Sequence, residues 1–313
     1  MRTMTPDAGR RTVLTCRPRY ESSNIRTWVG FRQLMLLAEE AVLQWFRDRD
    51  LGPQRLYHEH GLGLEVIDSS VQLPAVVEVD DEVVAEAAEE APGRFSVALR
   101  VRRDGVPILV LRGRVTVALV RAPGEPADRP VPREVADIVV DSVAAAGPPG
   151  HLGKRRVGPG EDARSALAAG GAFVWSWRAP YFVCHFSDRV QHSGYVRALE
   201  EVVDRFLADR GLSIRTMLTE HGWIPVVSRA RVQLVAGARM EEVVHTAFAV
   251  QEVLRRIAFD ARMDCYVRRG RCLVPVATAR ILHGYARSRG ERAGGLVELD
   301  EPTICALTGR IEA

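Results

Sequence analysis

A short stretch of this chain gathers His185, Asp188, His192 and Tyr195. Imidazole and carboxylate side chains exchange protons, so this stretch could supply an acid–base pair working near neutral pH. Two pairs of adjacent glutamates, Glu39-Glu40 and Glu200-Glu201, offer further carboxylates. Consecutive helical residues point about 100° apart, so one of each pair can face a groove while the other faces solvent. A carboxylate beside apolar surface has its pKa raised and becomes a usable base at neutral pH. Asn24, flanked by Ser22 and Ser23, does not titrate. Its amide can orient water or donate to an oxyanion, or it can simply close a turn.

Other chemistry is not written here. The chain has no GxGxxG after a strand, no phosphate loop, no GxSxG elbow and no zinc-ligand spacing, so neither cofactor nor metal is expected. The five cysteines, Cys16, Cys184, Cys265, Cys272 and Cys305, are odd in number, lack CxxC spacing and read as reduced thiols. A net charge of +3 without a basic stripe speaks against nucleic acid. Lys154 is the only lysine among 43 basic residues, a skew that fits a GC-rich genome better than a phosphate-binding surface. Met1–Thr12 is polar and lacks a signal-peptide apolar region, and no apolar run reaches the roughly 20 residues that span a bilayer. The expectation is a cytoplasmic protein without a membrane partner.

The elements that must position these groups come in two copies. Glu39-Glu40, Val42, Asp48-Arg49 and Leu51 recur 161 residues later as Glu200-Glu201, Val203, Asp209-Arg210 and Leu212. Glu59-His60-Gly61 recurs as Glu220-His221-Gly222, and Val71-Gln72-Leu73 as Val232-Gln233-Leu234. So long a period marks a duplicated domain rather than a solenoid. His60 and His221, shared by both copies at a strand entrance, read as structural.

In the first copy Val13–Tyr20 reads as a strand. Phe31–Arg49 carries apolar residues in steps of three and four, the mark of a helix with one apolar face, and Gly52-Pro53 stops it. Strand-like periods follow at Gly61–Leu73, Val76–Ala87, Arg94–Arg103 and Pro107–Val120, with Asp104-Gly105 as a hairpin turn. The second copy repeats this order: a strand at Tyr181–Phe186, a helix from Gly194 to Arg210, then strands near Trp223–Leu234, Glu241–Val250, Arg256–Val267 and Arg271–His283. The expected class is α+β, two tandem units of antiparallel sheet, each wrapped around a long central helix. Residues 1–120 and 179–285 are the units, 121–178 a Pro/Gly-rich linker with short helices at Glu134–Ala146 and Asp162–Ala172, and 286–313 a tail whose Pro302–Ile311 docks on the body.

These features resemble the hotdog fold, in its hydroxybenzoyl-CoA-thioesterase-like branch. The resemblance rests on Arg19-Tyr20 entering a polar loop, on Leu37-Ala38-Glu39-Glu40-Ala41, on Glu59-His60-Gly61-Leu62-Gly63 and on their second-copy partners. It implies an intramolecular pseudo-dimer with an acyl pocket between the units and a catalytic carboxylate from the loop before the helix, or from the helix itself. Where some members place a loop aspartate, this chain has Asn24 and, under the ungapped offset, His185. A gapped alignment puts Asp188 there instead. Thioesterases of enediyne polyketide pathways resemble the first copy in carrying asparagine, but they pair it with a helix arginine where this chain has Val42.

The resemblance implies an acyl thioesterase acting on acyl-CoA or an acyl carrier protein thioester in polyketide or lipid secondary metabolism. A dehydratase or cyclase on a carrier-bound polyketide chain, and a non-enzymatic acyl-binding protein, are the alternatives. The candidate catalytic set is Asp188, His192, His185, Asn24 and Glu40, with the second-copy loop at its centre. Homo-oligomers of such chains are compatible with the fold.

Overall fold

The computed structural model describes residues 11–122, 129–147, 152–158 and 160–309. The polar stretch before Arg11, parts of the Pro/Gly-rich linker and Ile311 lie outside the described residues. The first half runs β1 (Arg11–Cys16), α1 (Phe31–Arg47), α2 (Pro53–His60), β2 (Leu62–Gln72), β3 (Val83–Ala91), β4 (Arg94–Arg103) and β5 (Val106–Arg121). The connection holds β6 (Val139–Val140), α3 (Val143–Ala146), β7 (Arg155–Arg156) and α4 (Ala163–Ala168). The second half runs β8 (Phe173–Arg178), α5 (His192–Asp209), α6 (Ile214–His221), β9 (Trp223–Leu234), β10 (Val243–Leu254), β11 (Ala258–Arg269) and β12 (Cys272–Arg287), and α7 (Glu301–Thr308) closes the described chain.

Ten strands form one continuous antiparallel sheet in the order β1-β3-β4-β5-β2-β9-β12-β11-β10-β8, with β6 added to β5 and β7 to β12. The halves join where Asp68–Gln72 of β2 pairs with Arg229–Gln233 of β9. That register centres on Ser70 opposite Arg231, positions related by the repeat offset, so a pseudo-twofold axis passes through this pair. α1 packs on β1, β3 and β4, α5 packs on β9 and β10, and the two helices touch each other. Their apolar faces (Leu34, Ala38, Ala41, Val42 and Trp45; Leu199, Val202, Val203 and Phe206) belong to one buried cluster running through both halves. Gly113 is required where β5 crosses β2, because a Cβ there would collide with the Ser70 carbonyl oxygen.

The offset read from the sequence survives in the backbone. Phe31 and His192 begin the central helices, Pro53 and Ile214 the short ones, and Leu62 and Trp223 the strands that meet at the axis. Gly61 and Gly222 both adopt the left-handed conformation that ends a helix. The loops match too, since the bridges Ser23–Val29 and Trp28–Glu78 recur as Cys184–Val190 and Arg189–Arg239. No deletion precedes Tyr195. His185, not Asp188, occupies the position of Asn24.

Several elements differ from expectation. The first strand of the second half is Phe173–Arg178, inside the segment assigned to the linker, while Tyr181–Val183 is a single 3₁₀ turn after Pro180. Proline has no N–H to donate to a ladder, which keeps Pro180 out of the strand. α2 and α6 were not anticipated: Pro53 starts a helix at its first position instead of only ending the previous one. Glu134–Ala146 divides into a 3₁₀ turn, β6 and α3, whereas α4 is a true helix capped by the Asp162 side chain accepting from the Ser165 N–H at 2.9 Å. α7 buries Thr303 and Leu307. Among the described residues no helix is long and apolar enough to cross a membrane.

Candidate functional site

A cavity of about 220 Å3 opens between the halves, lined by Glu39, Leu43 and Arg47 of α1, Pro53, Leu64 and Val66, and by His185, Phe186, Gln191 and His192 from the second half. A larger hollow of about 530 Å3, bordered by Glu242, Val243, His245, Arg268 and Gly270, lies at the surface. Its carboxylate, Glu242, is tied to Arg269 at 3.0 Å. The smaller cavity holds the free chemistry.

Glu39 projects from the middle of α1, and burial raises its pKa to about 7, with smaller pushes from the Glu40 and Glu65 carboxylates. The His185 imidazole is held down at about 4 by burial and the nearby Arg189 charge. His192 is likewise held at about 4 by burial. Both rings are therefore held neutral at neutral pH. His192 lies at the first position of α5, where its Nε2 is 3.0 Å from Ser69 Oγ and 3.3 Å from the Val232 carbonyl oxygen. A carbonyl can only accept, so the Nε2–H tautomer satisfies this pair. Gln191, the preceding cap residue, makes no side-chain capping bond. The Gln191 and Gly194 N–H groups donate to the Val183 and Gln191 carbonyls, and the positive end of α5 borders the cavity.

Phe186 enters the cavity wall from a left-handed backbone conformation, φ 55°, inside a turn closed by the Ser187 N–H donating to the His185 carbonyl at 2.6 Å. Behind this loop is a pair that sequence reasoning missed. Arg189 donates from Nε and Nη2 to Glu65 Oε1 at 3.2 and 3.0 Å, and His185 Nε2 stands 4.0 Å from Glu65 Oε2. The Glu65 side chain is 1% exposed and that of Arg189 14%. Burial lifts the Glu65 carboxyl to about 7 against the pull of Arg189.

Of the expected site residues, His185 and His192 meet at the cavity together with Glu39. Asp188 does not join them: its side chain is 47% exposed and faces Arg239 at 3.5 Å. Glu40 turns to the surface and accepts from Arg47 at 2.9 Å. Asn24 sits at the pseudo-equivalent place across the axis, makes no capping bond, and lies against Gly30 and near Glu200. Glu200 is bound by Arg32 at 3.0 Å, and burial still raises its pKa. Glu201 pairs with Arg205 at 2.7 Å, Tyr195 is fully buried, and Trp175 stacks on Trp177. His60 bonds the Pro130 carbonyl through Nδ1 at 2.9 Å, a structural contact. Among the described residues no cluster of three His, Cys, Asp or Glu side chains could hold a metal.

No family model matches the sequence, and no curated protein is similar to it in sequence. Solved structures are similar in shape. A 12:0-ACP thioesterase from Umbellularia californica matches with a TM-score of 0.59 at 13% identity, over 88% of this chain and 94% of that one. A putative oleoyl thioesterase from Lactobacillus plantarum matches with 0.58 at 11%, over 96% and 100%. An acyl-ACP thioesterase from Bacteroides thetaiotaomicron matches with 0.53 at 11%, over 89% and 100%. The fold is a tandem double hotdog.

Within this double hotdog the two pseudo-equivalent sites are unequal. The cavity side carries His185, Arg189, His192, Glu39, Glu65 and Ser69. The same positions across the axis are Asn24, Trp28, Phe31, Glu200, Val226 and Ala230. Only the helix glutamate is kept, and there Arg32 holds it. The signal that could have found Glu65 is a charge inside the apolar run Leu62–Ile67, where the other hotdog has valine.

Proposed function

We propose that the chain is a thioesterase, hydrolysing an acyl thioester carried by CoA or by an acyl carrier protein in polyketide or lipid secondary metabolism. The observation that carries this reading is Glu39, a helix carboxyl lifted to about 7 beside an apolar cavity and facing the uncapped start of the other hotdog's helix. The shared fold of the acyl-ACP thioesterases supports it. In this reading the ionised Glu39 takes a proton from water as the water oxygen bonds to the thioester carbonyl carbon. Backbone N–H groups at the start of α5 hold the oxyanion that forms. When the tetrahedral intermediate collapses the C–S bond breaks, and Glu39 returns its proton to the leaving sulfur. Neutral His185 and His192 shape and hydrogen-bond the site without adding charge. The reading assigns the enzyme to the cytoplasm.

The cavity also suggests a size of acyl group. A pocket of 150 Å3 admits benzene in another protein, so about 220 Å3 suits a single ring or a chain of about nine heavy atoms. The test is release of free thiol, followed with a thiol-reactive dye across acyl-thioesters of increasing length. Release that peaks at short to medium acyl groups and vanishes in Glu39→Gln supports the proposal. One observation favours a lyase instead: the imidazole of His185 faces the Glu65 carboxylate across the two halves. Loss of water from a 3-hydroxyacyl thioester without thiol release would select that reading, and tight binding with neither reaction would select an acyl-binding protein.

A further inference from the structure

The Glu65–Arg189 pair is not demanded by the fold. The other hotdog builds the same loop bridges with Trp28 in the place of Arg189 and Val226 in the place of Glu65. A buried ion pair is weak evidence for stability, since taking both charges from water offsets most of their attraction. Space for it has nonetheless been cleared. A Cβ at Gly63 would lie 3.4 Å from Arg189 Nη2, and one at Gly237 would lie 3.2 Å from Arg189 Cδ. Arg189 therefore passes between two glycines where the other copy has Ile224 and Val76. Four positions, Glu65, Arg189, Gly63 and Gly237, differ together from their counterparts, and they do so on the side of the molecule that holds the cavity.

Resting on the role given above to Glu39, we propose that Glu65 and Arg189 are positioning residues of the site. They dock the His185–Phe186 loop of one hotdog onto the central strand of the other and set the charge that Glu39 meets. Glu65 lies between Leu64 and Val66, which line the cavity, but does not line it itself. It acts through its neighbours. The charged and titratable groups around Glu39 are Glu40 and Arg47 on its own helix, Arg55 and Glu59 on α2, Glu65 on β2, His185 and Arg189 on the loop and His192 on α5. Arg47 is bound to Glu40 and Arg55 to Glu59, and both histidines are neutral near pH 7. Two carboxylates remain to repel an ionised Glu39: Glu40, the stronger push, on its own helix, and Glu65 on β2.

Glu65→Gln tests this, because the amide keeps an acceptor for Arg189 and removes the charge. With the Glu65 repulsion gone and the Arg189 charge uncompensated, Glu39 ionises more easily. Its side-chain carboxyl carbon, followed by NMR in the whole chain, is expected to titrate at a lower pH than in the wild type. The rising limb of the thiol-release pH profile should move down equally. An unmoved midpoint in a folded variant overturns the proposal. If Glu65→Gln does not fold, the wild type decides: the Glu39 and Glu65 carboxyl carbons should titrate in coupled, two-step curves, and two independent single-step curves overturn it. The titration needs no substrate, so the two ideas fail separately. A shifted midpoint without thiol release keeps the pair and removes the thioesterase, and release with an unmoved midpoint does the reverse.

Discussion

Burial holds the Glu39 carboxyl at about 7, against 4.5 for the free side chain, so between those values the folded chain keeps a proton that the unfolded chain has given up. The contribution of this group to stability therefore falls as pH rises through that window. Glu39→Gln is expected to melt higher than the wild type at pH 8 and equally at pH 4, which thermal unfolding at the two values will show. The same variant should lose thiol release by roughly 10² or more. Activity of the wild type should climb through about pH 7 and stay high above it, as the ionised form accumulates. Asp188→Ala, which touches only a surface partner, should leave turnover within about twofold. Residue type alone had ranked Asp188 and Glu40 among the catalytic groups, because an aspartate in a polar loop and a glutamate on a helix look the same whether they meet a cavity or an arginine. Burial made the difference, and burial is a property of the fold. It is also why both histidines, promising by type, are held neutral near pH 7.

At the scale of elements, the helices and most strands were legible because each buries one face and leaves a period in the sequence. β2 hid its charge for the opposite reason. Leu62 to Ile67 is buried without alternation, so Glu65 sat unmarked in an apolar run. α2 was missed because Gly52-Pro53 both ends one helix and begins the next, and α6 because its cap, Ser213, follows Gly211 so closely that the stretch reads as a turn. β8 was displaced because Tyr181–Phe186 looks as apolar as the true strand. Leu43 of α1 and Leu64 and Val66 of β2 are among the apolar walls of the cavity, and on the proposed reading their bulk sets the size of the acyl group. Leu43→Ala should shift the preferred chain length upward and Leu43→Phe downward in the thiol-release panel, by one to three carbons each way at about 0.8 kcal/mol per buried methylene. Gly113→Val, which forces a side chain into the β2 crossing, should destabilise the chain by about 3 kcal/mol or more, read as a lowered unfolding midpoint.

For the whole molecule, the continuous sheet and the shared buried cluster tie the two hotdogs into one unit. Asp68 and Arg231, paired through two hydrogen bonds of 3.1 and 2.6 Å beside the axis, and Ser69 with His192 add contacts that cross from one half to the other. Calorimetry should therefore show a single unfolding transition, and two separated peaks would mean that the halves melt independently. A dimer of identical chains must accept every substitution twice, once on each side of its axis. Joining the copies lifts that constraint, and the residues across this axis are unlike: Trp28, Phe31, Val226 and Ala230 stand where the other half has Arg189, His192, Glu65 and Ser69. A saturation screen scored for thiol release should show a lopsided map. Positions near the cavity would reject most replacements while their twins, matched in backbone and register, would accept nearly any residue of similar bulk.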